Sequence, residues 1–270
     1  MLRRRWVLAG LVVGVACTPF SSVPSGDGDG DADAATVEPG QVDGGADPSD
    51  AAAIPDASLD GRVTPCTARH VICQDFDDPL PFAGWQVVRH ADTTLVVDDS
   101  LWTSPPASLR IASTGVQAGN RPSFISKTVP PATHFVVSAD VDAAVIGGTN
   151  GDLDILALEL TPTAGFERYF AAIVIKGEGT FVLESETKQT SAPAVRRDTP
   201  LGPLAAGFVR VTLDLDLATG DLFGRVDTGA TVTQRLPKTP AMTGSFRVGA
   251  PYVDNTTGRY FVHLDNVVLD

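Results

Sequence analysis

The carboxylates of this chain fall in short-spaced sets that could do acid–base chemistry. Asp152 and Asp154 are followed by Glu159, and Glu184 stands two residues before Glu186. Cleaving a glycosidic bond takes two carboxyls, about 5–5.5 Å or about 6.5–9.5 Å apart. Neither set is complete by spacing, and both read as exposed positions at strand ends. Four histidines (His70, His90, His134, His263) are scattered without ligand-type spacing, and no nucleophile-elbow sequence surrounds a serine. The run Cys66-x3-His70-x2-Cys73 admits a metal site or a disulfide. A fourth ligand is missing, and a bridge of two cysteines suits an oxidising compartment. Aromatic rings could stack on sugars: Trp102, Tyr169 and Tyr252 are the candidates, with Trp102 in a Pro-rich loop, while Trp85 reads as core.

The compartment is written at the N-terminus. Arg3-Arg4-Arg5 precede the apolar run Trp6 to Ala16, which ends at Cys17. The run is too short to span a bilayer, which takes about 20 residues of helix. It has the form of a secretory leader. With Gly14-Val15-Ala16-Cys17 at its end, it resembles the bacterial lipoprotein signal, although leucine is commoner where Gly14 stands. That resemblance implies cleavage after residue 16 and acylation of Cys17 (palmitate included). It also implies a membrane partner reached through the lipid. Thr18 after the cysteine, in place of Asp, leans toward the outer rather than the inner membrane.

Residues 17–62 contain the lipid-bearing cysteine and then a segment with ten acids, Asp27 to Asp60, against the single base Arg62. Ala, Gly, Pro and Ser make up much of the remainder. So little apolar side chain cannot offset the entropy of ordering a backbone, so this stretch is expected to be a disordered linker. The run Asp27-Gly28-Asp29-Gly30-Asp31 lacks the closing glutamate of a calcium loop. The whole chain of 270 residues has a formal charge of −13. A nucleic-acid partner is set aside, because neutralising phosphates takes a basic surface.

Residues 63–270 are long enough for one domain with its own core. Val209, Val211, Leu213, Leu215 and Leu217 alternate with polar residues, and Phe135, Val137, Ala139, Val141 and Ala143 do the same. A period of two predicts strands with one wet face. Near Ile155 and Leu156 the phase changes, which predicts a bulge or burial on both faces. Asn150-Gly151, Lys176 to Gly179 and Ala218 to Asp221 supply turns. About thirteen strands and no helical stripe predict an all-β fold of two packed antiparallel sheets.

Asp75-Phe76-Asp77, Gly84-Trp85 and Ser108-Leu109-Arg110-Ile111 resemble the opening of secreted bacterial jelly-roll modules. Val209 to Leu215, Ala218-Thr219-Gly220 and Phe261 to Leu269 are similar to the late hairpin and closing strand of concanavalin A-like, laminin-G-like domains. The galactose-binding-like jelly roll begins and ends in similar words and is the alternative. The resemblance implies that the last strand lies beside the first. It also implies a structural calcium held by Asp75 or Asp77 together with Asp265, with no other cofactor required. Hydrolases of this shape set their acids as Glu-x-Asp-x-(x)-Glu, which the acids above do not match. Lyases of this shape use a tyrosine or histidine; Arg168-Tyr169 is reminiscent of them, but the companion Gln and His motif is missing.

Together these features predict a cell-envelope lipoprotein that displays a non-catalytic module for glycans or surface polymers. A structural or protein-interaction role without a sugar ligand comes second. A polysaccharide hydrolase or lyase comes third.

Overall fold

The computed structural model describes Cys66, residues 69–113, Asn120, and residues 122–146, 151–161, 165–253 and 259–270. The chain divides into two units, Met1–Asp56 and Ala57–Asp270, and every described residue belongs to the second. Cys17, the leader and the acidic segment lie outside the described residues, as does Asn150 of the expected turn.

Fifteen strands run through the described residues. The first seven are β1 (Ile72–Gln74), β2 (Gln86–Val88), β3 (Thr93–Asp98), β4 (Ser108–Ser113), β5 (Ser123–Ala132), β6 (His134–Ile146) and β7 (Asp152–Leu160). Then come β8 (Phe166–Lys176), β9 (Thr180–Gln189), β10 (Val195–Pro203) and β11 (Val209–Asp216). The last four are β12 (Asp221–Val226), β13 (Val232–Arg235), β14 (Met242–Ala250) and β15 (Arg259–Leu269). All pairings are antiparallel. Sheet A runs β13-β12-β11-β6-β15-β4-β3, with β1 added alongside β15, and sheet B runs β10-β9-β8-β7-β14-β5-β2. The all-β, two-sheet architecture is the expected one.

The alternation read in the sequence is what builds the interior. Val209, Val211, Leu213 and Leu215 of β11 are buried, and the residues between them are half-exposed. On β6, its neighbour in sheet A, Phe135, Val137, Ala139 and Val141 are buried and Val136 and Ser138 half-exposed, while the outward Asp140 is buried as well. From sheet B, Ile173, Ile175, Leu183, Phe246 and Val248 meet them in one core. On β7 both halves of the expectation are met. A register shift falls between Asp154 and Leu156, and residues 153–158 are all buried. The turn at Lys176 to Gly179 closes by a bond from the Gly179 N–H to the Lys176 carbonyl, with φ +80° at Gly179.

The first and last described strands meet as the resemblance implied. Ile72, Cys73 and Gln74 pair with Leu269, Val268 and Val267. Cys66 and Cys73 form a disulfide with Cα atoms 5.4 Å apart. His70, between them in sequence, instead places Nδ1 2.9 Å from a carboxylate oxygen of Asp270. The bridge thus fastens Cys66 to the first strand, and the ion pair, with the strand pairing, holds the first strand to the last.

Candidate functional site

The two sheets share one core, so each has a second, outward face. Along β8, Tyr169, Ala171, Ile173 and Ile175 enter the core, whereas Phe170, Ala172 and Val174 point the other way and form a separate small cluster with Ala157. Around that cluster the outer face of sheet B gathers Asp152, Asp154, Glu159, Glu184 and Glu186. Register places Ala157 beside Ala172, Ala172 beside Glu184, and Glu184 beside Asp198.

At one end of this face lies a polar trough of about 460 Å³. Arg247 of β14 pairs with the Glu159 carboxylate of β7, and its guanidinium lies 5.4 Å from the Phe124 ring centroid. Arg168 Nη1 of β8 donates to Glu186 Oε1 at 3.1 Å, and its guanidinium lies 5.2 Å from the Phe170 ring centroid. Lys188 pairs with Glu167 at the same end. Thr128, Thr161, Thr243 and Ser245 add hydroxyls to the lining.

At the other end lies a tighter charge cluster. Lys176 Nζ donates to Asp152 Oδ2 at 2.8 Å and to Asp198 Oδ2 at 3.0 Å. Arg196 Nη2 donates to Asp152 Oδ2 at 2.9 Å and to Glu184 Oε2 at 2.7 Å. Burial pushes the Glu184 carboxyl up to about 7 despite the attraction of Arg196. Asp154 is raised well above the ordinary carboxylate range, by burial first and then by Glu184 and Asp152. The sequence expectation of exposed strand-end acids is therefore corrected at both positions. Asp154 is 4% and Glu184 5% exposed: Asp154 lies beside Val174 of β8, and Glu184 lies under the Arg196 guanidinium that pairs with it.

The other expected site residues are dispersed. Tyr169 is corrected from ligand contact to core: it is fully buried, and its hydroxyl donates to the Pro237 carbonyl at 3.1 Å. Its phenol is raised by burial. Tyr252 is 40% exposed, and its carbonyl accepts the Asp154 N–H at 3.0 Å, at the far end of β7 from the trough. Trp102 is half-buried in the segment between β3 and β4. Trp85 is core, as expected, and its indole N–H donates to Gln74 Oε1 at 3.1 Å.

That same segment occupies the Asp265 carboxylate. Oδ2 accepts the Thr103 and Ser104 N–H groups at 2.9 and 2.7 Å, and Oδ1 accepts the Ser104 hydroxyl and the Asn266 N–H at 2.9 and 2.7 Å. The Thr103 hydroxyl bridges Asp265 to Asp140. Asp77 Oδ1 accepts the Ala107 N–H at 3.2 Å. Burial, joined by the neighbouring acids, pushes Asp77 up to about 6. Asp75 caps the turn by accepting the Asp77 N–H. As placed, these acids bind backbone and hydroxyl donors, and the described residues hold no cluster of three or more His, Cys, Asp or Glu suited to a metal.

No family model matches the chain, and no curated protein matches it. Solved structures do. The chain is similar to an endo-β-1,4-glucuronan lyase from the fungus Trichoderma reesei, with 16% identity, TM-score 0.57, and coverage of 74% of this chain and 95% of that one. It is also similar to the cellulose-induced protein Cip1, at 14% identity and TM-score 0.52, covering 74% and 96%. A family 7 alginate lyase, A1-II′, gives 11% identity and TM-score 0.51, covering 73% and 96%.

The fold is a two-sheet antiparallel jelly-roll β-sandwich.

At such identities the likeness carries the fold and nothing finer. Within this jelly roll, sequence reasoning reached Arg168, Glu159 and Glu186 but not their grouping, and it missed Arg247, Phe124 and Phe170. One signal was available. β14 alternates Thr243, Ser245 and Arg247 with the buried Met242, Gly244, Phe246 and Val248, which marks a polar outer face.

Proposed function

We propose that the jelly roll is a non-catalytic glycan-binding module, displayed at the cell envelope by a lipid on Cys17 and a linker over residues 18–62. The observation that carries this reading is the trough on the outer face of sheet B. It is open and lined by paired guanidinium and carboxylate groups with hydroxyls beside them. Arginine offers five N–H donors in a fixed fork, and a carboxylate partner uses only some of them. Sugar hydroxyls can take the rest while donating to the carboxylates. The named activities of the similar structures, glucuronan and alginate lyases, support a polysaccharide partner. Each trough arginine is held by a glutamate, an arrangement that orients donors and supports binding rather than proton abstraction.

The test is affinity electrophoresis of the full chain, made soluble by Cys17→Ser, in gels containing soluble polysaccharides. Retardation that Arg247→Ala abolishes supports the module, and equal mobility in every gel sinks it. Anchoring is read separately: Cys17→Ala should leave the membrane fraction, and an unchanged distribution would refute the lipid attachment.

A further inference from the structure

Resting on that reading, we infer that the trough takes an uncharged, hydroxyl-rich glycan rather than a polyuronate. Charge balance is the first ground. The trough's two lining cations, Arg168 and Arg247, are paired with Glu186 and Glu159, and Lys188 beside it is paired with the lining Glu167. A uronate would have to displace a glutamate already in place, exchanging one ion pair for another with little net gain.

The surroundings add to this. At the other end of the same face, Lys176 and Arg196 are likewise already paired, with Asp152, Asp198 and Glu184. The chain as a whole is at −13. A polyanion therefore approaches against the field.

The rings give the third ground. Phe124 and Phe170 are 9% and 4% exposed, and guanidinium groups lie over them. Their faces are not presented to a pyranose, so recognition falls to hydrogen bonds. Paired arginines and glutamates alternate donors and acceptors along the trough, which suits vicinal hydroxyls. Thr128, Thr243 and Ser245 extend that pattern. Such binding leaves no net charge to be screened, so it should survive added salt.

The experiment is affinity electrophoresis of the full Cys17→Ser chain. The gels contain hydroxyethylcellulose, galactomannan or pullulan as neutral polymers, alginate or polyglucuronate as polyanions, and chitosan as a polycation. The expected result is retardation by at least one neutral polymer, unchanged at about 0.5 M NaCl, and none by the charged ones. Arg247→Ala should weaken that binding about ten-fold or more, the size expected for lost hydrogen bonds to a charged group. The double variant Glu159→Gln/Glu186→Gln frees both guanidiniums and should gain polyuronate binding that salt abolishes. Its melting curve, compared with wild type, reports that it folds. Wild-type retardation by polyuronate or chitosan alone would overturn the neutral-glycan assignment while leaving glycan binding in place. No retardation in any gel would overturn both.

Discussion

Around Asp265 on sheet A, charge is buried and spent on the chain itself; in the trough on the outer face of sheet B, charge is paired near the surface and left within reach. The Asp265 carboxylate is fully buried and gathers donors from Thr103, Ser104 and Asn266. Asp140 is 5% exposed, and Arg210 Nη1 reaches it at 3.2 Å. In the trough, the side chains of Arg168 and Arg247 are 45% and 32% exposed. A buried carboxylate that loses its donors, or donors that lose their carboxylate, costs far more than a solvent-facing pair. Such a pair contributes about 0–1 kcal/mol. The buried charges around Asp265 therefore organise the fold, whereas those of the trough add little stability and stand where a ligand can use them.

The largest effect should come from Asp265→Ala. It strands the Thr103 and Ser104 N–H groups in a buried place and should lower unfolding free energy by about 3–5 kcal/mol. A urea titration measures this. The same titration in EDTA and in millimolar calcium sharpens the point. Asn266 Oδ1 is buried beside Asp265 without a hydrogen-bond partner, the one local feature that would welcome a cation or water. Equal wild-type midpoints fit a carboxylate satisfied by donors. A calcium-dependent rise that Asp265→Ala removes would make it an ion ligand.

Next comes the buried end of sheet B. The Glu184 carboxyl sits at about 7 in the folded protein against an ordinary 4.5. The folded state therefore holds this proton more tightly than the unfolded chain does. Its contribution is complete below about pH 4.5 and is lost as pH rises through about 7, a change of up to about 3 kcal/mol. Asp77, at about 6, acts in the same direction. Between pH 5 and pH 8, Glu184→Gln should lose less stability than wild type; parallel curves would show that Glu184 titrates normally.

Reducing the Cys66–Cys73 bridge should cost about 2.5 kcal/mol, the entropy of so short a loop. The cost should leave the trough intact, because the bridge fastens Cys66 to β1, which belongs to sheet A. Smallest is the stability effect of Arg168→Ala, under about 1 kcal/mol. A loss of several kcal/mol there would mean that the trough pairs hold the fold after all.

The parts of the fold legible in the sequence were those where one face is wet. The alternations of β6 and β11 and the phase change in β7 all hold. β10 and β13 escaped notice because they are edge strands. β10 is exposed along most of its length and includes Pro200 and Pro203, and β13 has four residues. An edge strand need not alternate, and it tolerates proline. Tyr169 misled for a related reason: β8 is apolar on both faces, so periodicity could not say whether Tyr169 or Phe170 faced the core. Asp154 and Glu184 are thirty positions apart, and strand pairing, which no local pattern records, is what brings them together.

The contrast between the faces is tested most directly by one measurement: polysaccharide retardation of wild type beside Arg168→Ala/Arg247→Ala, with melting curves of both. Binding should fall about ten-fold or more while the melting temperature moves by only a few degrees. Unchanged retardation in the double variant would contradict the assignment of glycan binding to the outer face of sheet B.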